Sequence, residues 1–316
     1  MKPNIVEITE VEGSIDETLK KILKNFSFRP HGTVFLKPNV CAPEYSPGAV
    51  TSPSLLYDLV SILRDKAEEV IVGESDGYNY SCSRALMNTG IAKAVDKAGG
   101  RIVNLSEDEI IAVNLRNSKV KKLFLPKTLI EADSVIDVPV MKTHEYKIYS
   151  GAIKNLFGCI PDDRRIFLHP QLNEVLLQLF KVIDPELVIM DAIVAMEGNG
   201  PTKGNPVKLD LIITGNNALS VDLIASSIMG LNWKEIDYLN HIAQETGFKE
   251  EDISLVGCNV SSVAQKFELP RIDLPVETQL RIYKSLLLTK ILFCSLGVVK
   301  LFQGVTSTYR KIRSKK

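Results

Sequence analysis

Short apolar runs alternate along the chain with segments of helical periodicity. Thr33 to Leu36, Glu69 to Gly73 and Leu187 to Met190 are compact apolar runs. Such runs, without strict polar alternation, are typical of strands buried on both faces. Ile15 to Lys24 and Ser54 to Asp65 instead repeat their apolar residues at helical spacing. This alternation predicts a three-layer α/β fold, a mainly parallel sheet with helices on both faces.

The same pattern places the remaining elements. We expect further strands at Asn4 to Ile8, Arg101 to Leu105, Ile111 to Leu115, Ser134 to Val140 and Leu209 to Ile213. We expect further helices at Ser83 to Ala98, with a break at Asn88-Thr89-Gly90, and at Asn173 to Lys181, Leu219 to Met229 and Trp233 to Glu245, and a last helix–strand unit at Glu250 to Gly257. A glycine-rich loop separates two of these strands near Gly198 to Pro206.

The C-terminal end differs from the rest in charge. From Leu280 onward the chain has nine Lys or Arg residues and no acidic residue, and Ser285 to Val305 is its longest apolar stretch. We therefore expect an α/β domain at 1–260, in one or two lobes, a linker at 261–279 and a hydrophobic basic tail helix at 280–316. Lys290 and Lys300 inside the apolar stretch argue against a membrane span. An anchor on an anionic membrane surface and a helix at a subunit interface are equally good interpretations.

Composition excludes several classes of protein. The net charge is zero, so there is no global electrostatic case for binding nucleic acid. The five cysteines are scattered singly without a CxxC pair, which excludes the usual spacing of a zinc ribbon, a ferredoxin cluster or a thioredoxin-like pair. With no secretory signal at the N-terminus, dispersed cysteines predict a cytoplasmic protein, with peripheral membrane attachment as the alternative.

The stretch 133–170 has the most promising chemistry. After the strand Ser134 to Val140, a loop-rich segment holds His144, Lys154 and His169. Imidazole exchanges protons near neutral pH and binds metals. A desolvated lysine can act as a nucleophile or hold an anion. Arg164 and Arg165 could bind an anion through two hydrogen bonds.

Other polar residues follow predicted strands and should meet this loop at one edge of a parallel sheet. We expect them to bind substrate or cofactor: Lys37, Asn39, Glu74, Asp76, Lys142, Asn155, Arg165, Glu197 and Asn199. For any single acid, including Asp76 and Asp222, a helix cap is the alternative interpretation. The loop Gly198 to Pro206 matches neither GxGxxG nor a Walker loop, so an ATPase or an ordinary Rossmann dehydrogenase is unsupported.

Several segments together resemble one family. KTHEYKIYSGAIKNLFGCIPDDRR, DAIVAMEGNGPTKGNPV and ITGNNALSVDLIAS, with FLKPN and GESDG, are similar to the domain of unknown function 362 family over roughly residues 1 to 260. Many members of that family carry a ferredoxin-like cysteine module. This chain has none, and has the hydrophobic basic tail instead.

The order of His144, Gly151, Lys154, Pro161 and His169 is also similar to the centre of the lactate racemase family. The resemblance implies that His144 is an acid/base, that Lys154 anchors a substrate or a nickel-pincer nucleotide, and that His169 is a metal ligand or second base.

Three hypotheses follow. The first is a racemase-like enzyme that acts on a small anionic hydroxy or carboxy compound through His144, Lys154 and His169. The second is a redox or cofactor-handling protein that works at a membrane surface with a ferredoxin-like partner. The third is a non-catalytic scaffold, which predicts no ligand-sized pocket near His144. The metal or cofactor is left open.

Overall fold

A computed structural model describes residues 3–77, 80–116, 118–161 and 163–293. Within them the strands are β1 (Asn4–Glu10), β2 (Thr33–Pro38), β3 (Glu69–Glu74), β4 (Arg101–Asn104), β5 (Ile110–Asn114), β6 (Lys122–Pro126), β7 (Ser134–Val138), β8 (Val140–His144), β9 (Ile148–Ser150), β10 (Leu187–Glu197), β11 (Asn205–Gly215) and β12 (Ile253–Gly257). The α-helices are α1 (Ile15–Asn25), α2 (Pro53–Arg64), α3 (Cys82–Asn88), α4 (Ile91–Lys97), α5 (Lys127–Ile130), α6 (Ala152–Asn155), α7 (Leu172–Ile183), α8 (Ala218–Ile228), α9 (Asp237–Thr246), α10 (Val260–Val263), α11 (Leu274–Tyr283) and α12 (Leu286–Phe293). Short 3-10 helices cover Leu156–Cys159, Asp163–Gln171, Trp233–Glu235 and Glu250–Asp252.

One sheet organises the molecule. Its strand order is β12-β1-β11-β10-β7-β2-β3-β4, and β8 and β9 extend it beside β10. Most neighbours are parallel, whereas β11 runs antiparallel to both β1 and β10. The short connection 198–204 between β10 and β11 requires this direction, since parallel neighbours need a long crossover. The predicted mainly parallel α/β sheet is confirmed.

Helices cover both faces of the sheet. Alternate residues of β2 enter opposite cores: Phe35 packs with α6, α7, α8 and α9, whereas Val34 and Leu36 pack with α1, α2, α3 and α4. This alternation is the period-two geometry of a strand. The three predicted layers are therefore present.

Some strands differ from their predicted bounds. The predicted strand Ser134 to Val140 splits at Pro139 into β7 and β8, because proline has no N–H to donate to a ladder. β10 and β11 each extend well beyond their predicted ends and pair from Val188–Gly215 to Glu197–Asn205. In β10 the apolar run was interrupted by Asp191, and in β11 the residues before Leu209 are mostly polar.

The C-terminal region also differs in detail. The predicted helix Trp233 to Glu245 is a short 3-10 helix followed by α9, with the extended residue Ile236 between them. Helix α11 begins at Leu274, before the predicted start of the tail helix, because the Asp273 side chain caps it by accepting from the backbone N–H of Val276 at 3.0 Å.

The division of the chain at residues 260 and 280 stays a prediction, and the tail after Phe293 lies outside the described residues. In the part of the chain that the structure describes, no helix is both long and apolar enough to cross a bilayer.

Candidate active site

A cavity of about 540 Å³ lies where β8, α6, α7, α9 and α11 meet, and we call it the main cavity. His144, Lys154 and His169, which the sequence predicts to act together, all line it. The remaining lining residues are Lys119, Tyr146, Lys147, Pro170, Gln171, Leu172, Asn173, Glu174, Asp237, His241, Leu280, Tyr283 and Lys284. Its volume lies within the range of about 300–1,000 Å³ that is usual for small-molecule sites.

Lys154 is held in place by its short helix. Gly151 precedes α6 in a space too tight for any side chain, since a Cβ there would lie 2.1 Å from Tyr149 Oη and 2.2 Å from Asp222 Oδ1. Asp222, on α8, accepts hydrogen bonds from the backbone N–H groups of Ala152 at 2.7 Å and Ile153 at 2.9 Å. The turn that carries Lys154 is thereby tied to the core.

The surroundings of the Lys154 amine disfavour its charged form. Among the described residues it makes no hydrogen bond and no ion pair, and its side chain is only partly exposed. Burial lowers the pKa of Lys154 to about 7, and the positive charges of Lys142, Lys147 and Arg165 contribute to the lowering. A substantial fraction of the amine is therefore uncharged near neutral pH.

His144 ends β8 and is almost fully buried. Its Nδ1 accepts a hydrogen bond of 3.1 Å from the backbone N–H of Tyr146. Burial lowers the pKa of His144 well below its usual range, and the charges of Lys154 and Lys142 lower it further. The neutral ring therefore carries its proton on Nε2.

His169 lies in the 3-10 helix Asp163–Gln171. Its Nδ1 lies 2.9 Å from the backbone oxygen of Ile166, an acceptor, so Nδ1 is the protonated nitrogen and Nε2 is bare. The ring stacks on Tyr283 at 4.4 Å and meets the edge of Phe157 at 5.4 Å. Burial, with the charge of Lys154, lowers the pKa of His169 to about 3.

The other charged residues of the main cavity are mostly paired. Lys147 Nζ lies 2.6 Å from Asp237 Oδ2 and 3.0 Å from Asn173 Oδ1. Glu174 accepts hydrogen bonds from Ser118 and Gln178 and lies near His241. Lys119 and Lys284 are exposed at the rim, and neither forms an ion pair within the described residues. The cavity therefore presents an excess of positive charge.

The sequence prediction missed the wall that α11 supplies. Tyr283 stacks on His169, and Tyr146 Oη donates to Gln279 Oε1 at 2.5 Å. His241, in the middle of α9, also lines the cavity. Its position in mid-helix gives no indication of this role, and α11 lies more than a hundred residues after His169 in the chain.

A smaller cavity of about 170 Å³ adjoins the main one, and we call it the side chamber. His144 and Lys154 line both cavities and thus form the boundary between them. The other residues that line the side chamber are Asn39, Val40, Cys41, Glu74, Tyr80, Lys142, Ser150, Asn155, Phe157, Gly158, Arg165 and Pro201.

Arg165 belongs to the side chamber. Its Nη1 donates to Ser75 Oγ and, at 3.2 Å, to the backbone oxygen of Ile160. In the described part of the chain its Nε and Nη2 groups make no hydrogen bond. The guanidinium therefore keeps donors for an anion. The side chain of Arg164 lies outside what the structure describes.

A buried hydrogen-bond network connects residues that line the side chamber to the protein core. Lys142 donates to Asn39 Oδ1 at 2.5 Å and to the backbone oxygen of Ala49 at 2.7 Å. Asn39 donates to Asn155 Oδ1, and Asn155 donates to Asp137 at 2.7 Å. Burial raises the pKa of Asp137 well above its usual range, which favours the protonated carboxyl.

Lys37 is fully buried and lines neither cavity. Its amine contacts Glu74 Oε2 at 2.6 Å and the backbone oxygen of Pro38 at 2.7 Å. Glu74 lines the side chamber but is held by this ion pair. Lys37 therefore supports the site from outside rather than lining it.

Three predicted binding residues lie elsewhere. Asp76 Oδ1 accepts from the backbone N–H of Cys82 at 2.7 Å, at the start of α3. Glu197 and Asn199 accept backbone hydrogen bonds of 2.8 Å from Glu268 and Arg271. They fasten the segment before α11 and line neither cavity.

Metal ligation by His169 stays a prediction. The described residues contain no group of three or more His, Cys, Asp or Glu side chains that could hold a metal ion.

The comparison with protein families agrees with the resemblance to the domain of unknown function 362 family. Thylakoid-associated protein sll1697 of Synechocystis sp. is 27% identical over 242 residues, which cover 70% of this chain and 71% of that protein. The lactate racemase apoprotein of Thermoanaerobacterium thermosaccharolyticum superposes with a TM-score of 0.47 and 12% identity, over 72% of this chain, which spans 57% of that one. The model of the family described as "Domain of unknown function (DUF362)" matches residues 34–227, more than half of the chain. The chain belongs to the DUF362 family.

Proposed function

We propose that the protein is a racemase- or isomerase-like enzyme that moves protons on a small anionic hydroxy or carboxy compound in the main cavity. The observation that supports this is the opposite hydrogen bonding of two neutral histidines. His144 Nδ1 accepts from a backbone N–H, and His169 Nδ1 lies against a backbone carbonyl. Their Nε2 atoms are therefore a proton donor and a proton acceptor.

Each ring has a defined role in the proposed reaction. His169 Nε2 takes a proton from the carbon next to the carboxylate, and His144 Nε2–H returns one to that carbon or to an oxygen on it. Titratable groups whose surroundings give them opposite roles are the usual arrangement for acid–base catalysis. The backbone partners on Nδ1 fix each tautomer before substrate arrives.

A bound anion also adjusts the basicity of both rings. The charge of Lys154 contributes to the low pKa of His144 and His169. A carboxylate beside Lys154 offsets that charge and raises both pKa values towards neutrality, where a histidine is the most effective general base. Substrate binding would thus activate the base.

Positive charge selects the ligand. Lys154 in its ammonium form anchors the carboxylate, and Lys119 and Lys284 attract it at the rim. Electrostatic attraction of this kind favours binding of small anions over neutral compounds.

Deuterium exchange tests this function. The purified protein would be incubated in D2O with small 2-hydroxy acids and carboxylic acids, including lactate, glycerate and malate, and the loss of the carbon-bound proton would be followed by proton NMR. We expect exchange with at least one acid, and a loss of about 100-fold or more in His144→Gln and in His169→Gln. His31→Gln, which changes an exposed ring outside both cavities, is the matched control. Exchange at the wild-type rate in both site variants would contradict the proposal.

The alternatives are less well supported. The scaffold hypothesis predicts no ligand-sized cavity beside His144, whereas the main cavity lies there. Partnership with a ferredoxin-like protein stays a prediction.

A further inference from the structure

The main cavity and the side chamber share Lys154, whose amine makes no hydrogen bond and no ion pair among the described residues. Lysines elsewhere in the site are different. Lys147 is paired with Asp237, Lys37 with Glu74, and Lys142 is held by Asn39 and Ala49. Among the described lysines that line the two cavities, Lys154 is therefore the one that is neither exposed at the rim nor held by a hydrogen bond or ion pair.

We infer that Lys154 is a nucleophile that forms an imine with a small 2-oxo acid. This rests on the proposed function only in placing an anionic ligand in the same site. It goes further in naming a second substrate class and a covalent step. An uncharged, desolvated lysine beside other cations is the usual form of an imine-forming amine.

The side chamber explains the choice of a 2-oxo acid over a simple aldehyde. Arg165 lines this chamber, and its Nε and Nη2 groups have no hydrogen-bond partner within the described residues. A planar carboxylate fits such a guanidinium through two hydrogen bonds. With the carboxylate on Arg165 and the carbonyl carbon at Lys154, the rest of the substrate extends into the main cavity.

The step balances without an oxidant or a reductant. The lone pair of Lys154 Nζ forms the C–N bond while the carbonyl π electrons move to oxygen, which takes a proton from His144 Nε2. After the attack the nitrogen carries two protons and a positive charge. It returns one proton to His144 Nε2, and its other proton leaves with the hydroxyl group as water while the nitrogen lone pair forms the C=N bond. The net products are the imine and one water molecule.

Reductive trapping tests the inference. The full-length protein would be incubated with pyruvate and sodium cyanoborohydride at pH 7, then analysed by intact mass spectrometry and peptide mapping. We expect one saturable adduct whose added mass equals pyruvate less one oxygen atom, located on Lys154. Its rate should rise with pH around 7, whereas ordinary lysines react at higher pH because their pKa is about 10.4.

Two variants complete the experiment. Lys154→Arg should remove the adduct, whereas Lys93→Arg, on the exposed face of α4, should leave it unchanged. Because the wild-type peptide map locates the adduct, the test holds even where Lys154→Arg fails to fold. Labelling spread over many lysines, or no labelling of Lys154, would overturn the inference. Deuterium exchange without trapping would refute the imine alone, and trapping without exchange would refute only the proton-transfer function.

Discussion

At the scale of single residues, the site depends on basic side chains that the fold keeps largely uncharged. Lys154, His144 and His169 all have lowered pKa values because burial disfavours their charged forms. At neutral pH the two imidazoles can therefore donate or accept a proton, and the uncharged fraction of the amine can act as a nucleophile. The same burial costs stability, since an unfolded chain binds these protons more readily.

Lys154→Met should stabilise the protein at neutral pH. The pKa of Lys154 is about 7 in the folded chain, against an ordinary value of 10.5. At and below pH 7 the folded protein bears the cost of a buried charge, and above about 10.5 both states are uncharged and the cost disappears. We expect the variant to raise Tm by a few degrees at pH 7 and by less at pH 9.5, measured by calorimetry.

Lys147→Met is the matched control for that experiment. Lys147 lies in the same cavity but is paired with Asp237 at 2.6 Å, so its loss should lower Tm or leave it unchanged. A Lys154→Met variant that is less stable at pH 7, or whose gain grows with pH, would contradict the burial of an unpaired amine.

The sequence predicts that three residues lie together, and the structure places them on one cavity, but several of their neighbours were not predicted. His144, Lys154 and His169 lie within one loop-rich stretch, so a local pattern was enough to predict that they meet. Glu74 and Asp76 both follow the predicted strand Glu69 to Gly73, yet Asp76 accepts a hydrogen bond at the start of α3 while Glu74 lines the side chamber. A carboxylate that caps a helix and one that faces a ligand look the same in sequence, because both follow strands.

At the scale of elements, the position of Lys154 depends on α8. Asp222 holds the start of α6 through two backbone N–H groups and also accepts from Tyr149 Oη at 2.9 Å. The absence of a side chain at Gly151 lets these groups meet. In the sequence, Gly151 and Lys154 stand out only through the resemblance to the lactate racemase family, and only the packed structure shows that Asp222 positions the turn between them.

Gly151→Ala should therefore damage both fold and site. Its Cβ would overlap Tyr149 Oη and Asp222 Oδ1, two buried groups that have little room to move. We expect a loss of about 3 kcal/mol or more in the free energy of unfolding, measured with urea. Gly247→Ala is the comparison, because Gly247 has a φ of +65° and no atom within 4 Å of the added Cβ. That change should cost about 1–2 kcal/mol, and equal losses in the two variants would contradict the tight packing at Gly151.

The sheet shows what element patterns predict and what they leave out. Apolar runs located the buried strands and the parallel majority of the sheet. Strand β11 runs antiparallel because only the short segment 198–204 connects it to β10. The glycine-rich sequence of this segment did not predict a hairpin. The first half of β11 is mostly polar, and Asp191 interrupts the apolar run of β10, so the patterns ended before the strands did.

At the scale of the whole molecule, the C-terminal helices connect the site to an apolar surface. Tyr283 of α11 contacts His169, and the next helix, α12, exposes Leu287 by 67% and Leu288 by 46%. Lys284 lies just before α12 and Lys290 lies within it, so residues 284–293 combine exposed leucines with lysines. We propose that this segment binds an anionic membrane surface, with its leucines in the lipid and its lysines at the headgroups.

Vesicle sedimentation tests that proposal. The full chain should bind vesicles that contain phosphatidylglycerol more tightly than purely phosphatidylcholine vesicles, and the binding should weaken as salt rises. The double variant Leu287→Glu with Leu288→Glu should bind several-fold less. Leu269→Glu changes an equally exposed leucine outside α12 and should bind normally. Equal binding to both kinds of vesicle, or none, would contradict a role for anionic lipid.

The proposed function requires two neutral histidines that face one cavity in opposite tautomers. Long-range proton–nitrogen NMR of the protein labelled with 15N-histidine at pH 7 measures this directly, with His144→Gln and His169→Gln to assign the signals among four histidines. We expect His144 to carry its proton on Nε2 and His169 to carry its proton on Nδ1, with both rings neutral. Two rings in the same tautomer, or a charged ring at either position, would contradict the account.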